Sequence, residues 1–119
     1  QRQFSTLCMN FLEDKTDPVR NAAVHQLAYI IIKGKYNGKL PKYIAELKVS
    51  DTFRLRQAYI TLLKIIGLNN QKYKSKISKE ISEFLNDECS NVVELAQYTM
   101  NELDCAWYYL DRYRFCVLF

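Results

Sequence analysis

The side chains of this chain that could do chemistry are few and far apart. Its single histidine is His25, and its four cysteines are Cys8, Cys89, Cys105 and Cys116. Zinc sites and redox pairs bring cysteines within a few residues of one another, as in CxxC. No two of these five residues are that close, so the sequence predicts no metal site. We expect the cysteines to be buried as small apolar residues in a reducing compartment, the cytoplasm or the nucleus.

His25 also lacks the neighbours that a catalytic residue needs. It falls within a predicted helix, and no constellation of Cys, Ser or Asp residues accompanies it. The three glycines of the chain form no glycine-rich loop that could cradle a phosphate. We therefore expect a protein that is not an enzyme and that holds no cofactor.

Charge is distributed unevenly along the chain, although the net charge is only +4. Residues 33–79 contain twelve basic residues and two acidic ones, Glu46 and Asp51. The flanks hold the remaining five of the 17 basic residues and eleven of the 13 acidic residues. Two interpretations stay open: a solvated lysine-rich face, or a surface for an acidic partner such as a protein, a phosphoinositide or a nucleic acid.

The elements that position these residues are predicted from a pattern that occurs three times. Val19-Arg20 returns as Leu55-Arg56 and as Val92-Val93, at steps of 36 residues (19 to 55) and 37 residues (55 to 92). A period in this range, with one helical hairpin per unit, is typical of an α-solenoid. The apolar positions that follow in the three copies are Ala23, Leu27 and Ile30, then Tyr59, Leu63 and Ile66, then Ala96, Met100 and Leu103.

The sequence predicts one all-α domain over residues 1–119, with hairpin units at about 3–33, 40–67 and 71–104. Six helices are expected. The first three lie at residues 3–13, from 18 to about 33, and from about 41 to about 49. The fourth begins at residue 51 or 52 and ends at 66, the fifth runs from about 71 or 72 to 85, and the sixth runs from 91 to about 103. Asp17 is the expected N-cap of the second helix, with Pro18 at N1. Ser50 or Asp51 is the expected N-cap of the fourth helix, and Gly67 its C′ residue.

The terminal segment 105–119 departs from this pattern because aromatic residues crowd it, beginning with Trp107, Tyr108 and Tyr109. We predict a C-terminal half repeat that lies over the open end of the stack. The alternative is an exposed apolar segment that docks a partner. The chain begins at Gln1 rather than Met, which indicates a fragment of a longer solenoid.

At the turn before each second helix the chain resembles the HEAT-repeat family, whose pattern is roughly D-x-x-x-x-V-R-x-x-A. The resemblance covers about residues 4–104. The first copy matches in full, the second has Ser50 in place of aspartate and Tyr59 in place of alanine, and the third has Val93 in place of arginine. In this family the aspartate and the arginine form hydrogen-bond ladders that hold neighbouring units together. The resemblance therefore implies a structural ladder made of Asp14, Arg20, Arg56 and Asp87.

Within that family the segments 7–12 and 17–23 are most similar to the scaffold (A) subunits of type 2A protein phosphatases and to the HEAT regulatory subunits of phosphatase four. The ridge of intra-repeat turns in those scaffolds binds the catalytic and regulatory subunits. The resemblance implies that the protein-binding residues here are Lys15, Thr16, Asp17, Arg20, Thr52, Arg54 and Glu88.

These observations favour a non-catalytic protein-binding scaffold or regulatory subunit, with a Ser/Thr phosphatase catalytic subunit as a candidate partner. The alternative is a nucleic-acid or nuclear-transport module that uses the basic centre, whose binding would weaken steeply with salt. A membrane partner is not expected, because the longest nearly unbroken apolar run, residues 27–32, is far shorter than a membrane-spanning helix. We expect cytoplasmic or nuclear localisation, because the four cysteines are interpreted as buried small apolar residues in a reducing compartment.

Overall fold

A computed structural model describes the backbone of residues 7–118 and the side chains of residues 7–112. All regular structure in this part is helical, which confirms the all-α prediction. Short 3-10 segments follow α3 and flank α5, at Glu46–Val49, Gln71–Tyr73 and Glu83–Asn86. The α-helices are α1 (residues 7–10), α2 (Asp17–Lys33), α3 (Lys42–Ala45), α4 (Phe53–Asn69), α5 (Lys74–Ser82) and α6 (Ser90–Leu118).

Helix α4 occupies the centre of the fold, since α2 packs on one side of it and α6 on the other. The 3-10 segment after α3 covers α4 from a further side, and α5 packs against both α4 and α6. Ala58, Tyr59 and Ile60, which point about 100° apart around α4, are all buried. A helix that is apolar around most of its circumference can be stable only where neighbours cover it on several sides. One continuous hydrophobic core results.

The helical segment predicted at residues 71–85 is confirmed, with 3-10 segments at both ends that extend it to Asn86. Two predicted helix starts are wrong. Helix α2 begins at Asp17 with Thr16 as its N-cap, so Pro18 stands at the second helical position. Helix α4 begins after Thr52, and the predicted caps Ser50 and Asp51 precede it. In both turns an earlier polar side chain binds the backbone of the N-cap residue. Helix α2 begins one residue before its predicted start, and α4 begins one or two residues after it.

The predicted end of α4 at Gly67 is also wrong, because the helix continues to Asn69. Gly67 is buried inside the helix at the point where α4 meets the side chains of Trp107 and Ile77. A β-carbon at this position would lie 3.2 Å from the Trp107 ring. The Trp107 indole Nε1–H donates a hydrogen bond to the Gly67 carbonyl at 3.0 Å. The glycine therefore permits close packing between α4 and α6, rather than ending α4.

Residues 105–118 do not form a separate half repeat, since α6 runs without a break from Ser90 to Leu118. Trp107 lies in the core, whereas Tyr108, Tyr109 and Leu110 are exposed. The side chains from residue 113 onwards lie outside the described part. At the other end of the chain, residues 3–6 of the predicted first helix also lie outside it, and this helix ends at residue 10 rather than at residue 13. The continuous helix places the first aromatic residue of the tail in the core and the next two in solvent.

Some residues that were predicted to be buried lie at the surface. Val19 is 37% exposed because the start of α2 faces solvent. Cys8 is buried, Cys89 is half-buried and Cys105 is exposed, so the prediction of buried cysteines is wrong for Cys105. Burial raises the pKa of the Cys8 thiol. Cys116 lies beyond the described side chains.

Candidate functional site: the three interhelical turns

The turns before α2, α4 and α6 share one hydrogen-bond framework. In each turn a side-chain oxygen accepts a hydrogen bond from the backbone N–H two residues later: from Thr16 to Asp14 at 3.0 Å, from Thr52 to Ser50 at 3.2 Å, and from Cys89 to Asp87 at 2.9 Å. The N–H groups of residues 14, 50 and 87 donate in turn to the carbonyls of residues 11, 47 and 84. Short polar side chains make such local bonds in turns. The repeat seen in the sequence thus produces the same local structure three times.

The second and third turns are joined by an ion pair between Arg56 and Asp87. Arg56 Nε and Nη2 donate to the two carboxylate oxygens of Asp87 at 2.9 and 3.1 Å, and Arg56 Nη1 donates to the Ser50 carbonyl at 2.7 Å. The side chains are 10% and 9% exposed, respectively. A bidentate arrangement is among the stronger hydrogen-bonded pairs in proteins. One arginine therefore fixes its own turn and the neighbouring turn together.

The charges of this pair shift each other's pKa. Hydrogen bonding to Asp87 raises the pKa of the Arg56 guanidinium, against the opposing effect of burial. Burial alone would raise the pKa of Asp87, but hydrogen bonds from Arg56 and from the Cys89 N–H, together with the Arg56 charge, hold it below its ordinary value of 3.8. The ionised form of Asp87 is therefore the form that the fold stabilises.

The stability of the chain should depend on pH through Asp87. Because its pKa is lower in the folded chain than in the unfolded chain, its contribution is fully present above about pH 4 and is lost as the pH falls through the folded pKa. Urea unfolding of the wild type and of Asp87→Asn at several pH values measures this effect. We expect the difference in unfolding free energy between the two proteins to shrink on acidification, and a constant difference would contradict this assignment.

Arg20 contacts the equivalent carbonyl in its own turn but does not reach the next turn. Its Nη1 donates to the backbone carbonyl of Asp14, six residues earlier, as Arg56 donates to Ser50. Its other partner is Asp17, whose side chain is 88% exposed and belongs to the same turn. Since position 50 is a serine, the second turn offers no carboxylate that corresponds to Asp87. The implied ladder members Arg56 and Asp87 are thus brought together across two turns, whereas Asp14 and Arg20 are joined within one.

The residues that the resemblance implied for partner binding fall in two clefts and on one exposed turn. Asp17, Arg20 and Arg54 line a groove of about 560 Å³ between α2 and α4. Glu88 lines a cleft of about 400 Å³ at the second and third turns, together with Asp51, Arg56 and Asp87. Lys15 and Thr16 are exposed in the first turn, and Thr52 is half-buried as the N-cap of α4.

Sequence reasoning missed three polar residues of the larger groove, which are Asn21 on α2 and Gln57 and Thr61 on α4. The residues 54, 57 and 61 share one helix face, because they are spaced three and four residues apart. That spacing was a usable signal, since it continues the face of Arg54 towards the middle of α4. The floor of the groove is apolar and is made by Leu12, Val24, Ala58 and Leu95.

The part of the chain that the structure describes forms neither a cluster of metal-ligating side chains nor a helix fit to cross a membrane. There, no group of three or more His, Cys, Asp and Glu side chains is placed to hold a metal ion. None of the described helices has both the length and the hydropathy that crossing a bilayer requires. No family model, curated protein or solved structure matches the chain.

Proposed function

We propose that this chain is a non-catalytic protein-binding scaffold of the HEAT-like α-solenoid type, whose interhelical turns carry the partner contacts. The observation that supports this proposal is the hydrogen-bond framework shared by the three turns, which lie beside one another along the order α2, α4, α6. Repeated hairpins whose turns are held in the same geometry present an extended, ordered surface, which is how solenoid proteins bind their partners.

The groove between α2 and α4 is the part of this surface that suits a partner segment best. Its floor is apolar and its rim carries Asp17, Arg20 and Arg54. The Arg54 guanidinium stacks on the Phe53 ring at 5.4 Å from its centroid, and no described carboxylate forms an ion pair with it. An apolar recess beside an available guanidinium fits a peptide segment in which an acidic residue adjoins an apolar one.

The resemblance to phosphatase scaffolds makes a type 2A phosphatase catalytic subunit the partner to test. We expect the purified catalytic subunit to bind the wild-type chain, and Arg54→Glu to weaken binding at least tenfold, about 1.4 kcal/mol. The reason is that the substitution puts a carboxylate where the groove now offers a cation. Isothermal titration calorimetry measures both affinities.

Lys33→Glu is the matched control, because it makes the same change of charge at the far end of α2, away from the turns. It should bind the catalytic subunit as the wild type does. Equal affinities of Arg54→Glu and wild type would exclude the groove as the contact. No binding by any of the three proteins would exclude this partner, and pull-downs from cell extract at low and high salt would then test the scaffold function itself.

A further inference from the structure

Six lysines form a second surface at the opposite edge of the fold from the turns. Three of them lie in residues 34–42, which form the loop before α3 and the first residue of that helix. The other three lie in residues 71–82, and all six are exposed. None forms an ion pair with a carboxylate among the described residues, although the charge of Lys79 contributes to the lowered pKa of Glu83. Lys48, Lys64 and Lys74 each form an ion pair. The members of this lysine surface are Lys35, Lys39, Lys42, Lys72, Lys76 and Lys79.

Tyrosine packing brings the two segments of the lysine surface together. Tyr36 in the loop and Tyr73 before α5 meet edge to face, with ring centroids 5.0 Å apart. Gly38 is buried against Tyr73, and its positive φ of 94° favours glycine at this position. A β-carbon there would lie 3.0 Å from the Tyr73 ring. The loop is thus held on the start of α5 by a specific contact.

The same contact brings Lys76 of the second segment to the backbone of the first. Lys76 Nζ donates a hydrogen bond to the Gly38 carbonyl, next to Lys39 in the chain. The Lys72 ammonium lies 5.6 Å from the centroid of the Tyr73 ring. Lys76 and Lys79 are three residues apart on one face of α5, and Lys72 precedes them in the 3-10 segment that leads into this helix. Like charges one turn apart on a helix repel each other, and a bound anion would offset this repulsion.

We propose that the lysine surface binds the phosphate backbone of a nucleic acid. Tyr36 and Tyr73 pack against each other beside Lys72, so exposed positive charges surround a packed aromatic pair here. Ammonium groups act as point charges towards phosphates and read no base sequence. An acidic peptide would gain little more than charge here, whereas a duplex presents phosphates at regular short intervals. Binding is accordingly independent of base sequence.

This surface is separate from the interhelical turns. Helix α2 runs from the first turn at Asp17 to Lys33, just before the loop, and its 17 residues span about 25 Å. A protein partner on the turns and a nucleic acid on the lysine surface would therefore occupy opposite edges of one chain. The inference does not depend on the scaffold function, and each can fail without the other.

Fluorescence anisotropy with a labelled DNA duplex of about 20 base pairs tests the proposal on the full chain. If about four phosphates are contacted, the affinity should fall about a hundredfold between roughly 50 and 200 mM salt. The triple variant Lys39→Gln, Lys72→Gln and Lys79→Gln should bind at least tenfold more weakly at low salt. It should also lose most of the salt dependence, about 0.9 units of log–log slope per contact removed.

The control variant Lys15→Gln, Lys48→Gln and Lys64→Gln removes the same charge from other places, and it should bind DNA almost as the wild type does. Equal losses in the two triple variants would overturn the proposal, because net charge alone would then explain binding. Absence of duplex binding at about 50 mM salt would also overturn it. So would tighter, lysine-dependent binding of a polyglutamate peptide, which would assign the surface to an acidic protein. Circular dichroism confirms that each variant is folded.

Discussion

Arg56→Ala is expected to lower the free energy of unfolding by about 3 kcal/mol. The substitution leaves the carboxylate of Asp87 almost buried without its bidentate partner, and it removes the bond to the Ser50 carbonyl. The value lies at the lower end for buried ion pairs because the pair borders the open cleft at the second and third turns. Urea unfolding, followed by the helical circular dichroism signal, measures the change.

Arg20→Ala is the matched control, because Arg20 binds the equivalent carbonyl but pairs only with an exposed aspartate. It should cost about half as much, roughly 1.5 kcal/mol. The double variant Arg56→Met with Asp87→Asn should recover part of the loss, since it leaves no unpaired charge and the asparagine side chain can still accept the Cys89 N–H bond. Equal losses for Arg56→Ala and Arg20→Ala would show that the link between the second and third turns adds nothing to stability.

Trp107→Ala is expected to cost about 3–5 kcal/mol. Trp107 is buried between α4 and α6, and its ring contacts the bare backbone at Gly67. Its indole N–H also satisfies the Gly67 carbonyl, which lies in the last turn of α4 and has no partner further along that helix. The loss therefore combines a cavity with an unsatisfied helix end. Thermal and urea unfolding both measure it.

Trp107→Phe separates the two contributions, because it keeps a ring in place but removes the donor. It should cost about 1–2 kcal/mol, the effect of a lost hydrogen bond to a buried carbonyl. Tyr108→Ala, at the exposed neighbouring position, should change stability by less than about 0.5 kcal/mol. A Trp107→Ala protein as stable as Tyr108→Ala would mean that α6 does not pack on α4 at this point.

The sequence predicted the features that depend on short stretches of chain. The spacing of residues 14, 50 and 87 located the three turns, because each turn is closed by local hydrogen bonds within a few residues. The helical segment at residues 71–85 was also predicted, since its apolar residues lie on one face. Local rules misplaced the start of α2 by one residue, because Asp17 is a good capping residue but Thr16 is the N-cap. Asp14 binds the backbone and hydroxyl of Thr16, and Asp17 pairs with Arg20 instead of capping the helix.

Features that depend on distant residues could not be predicted. Gly67 resembles a residue that ends a helix, and only the contact with Trp107, forty residues later, shows that it admits an aromatic ring. The basic centre was visible as a count of charges, but the count did not separate the lysines that pair with carboxylates elsewhere from those of the lysine surface. Lys64 pairs with Glu102 and Lys74 with Asp111, both of which belong to α6.

The difference between Ser50 and Asp87 has a mechanical consequence. The junction between the second and third turns is cross-linked by Arg56, whereas the junction between the first and second turns opens into the groove. Because α4 packs against both α2 and α6, we expect the junction between α2 and α4 to bend more easily than the junction between α4 and α6. A partner that bends the chain would then change the angle between α2 and α4 first, and a pulling force would separate these two helices before α4 and α6.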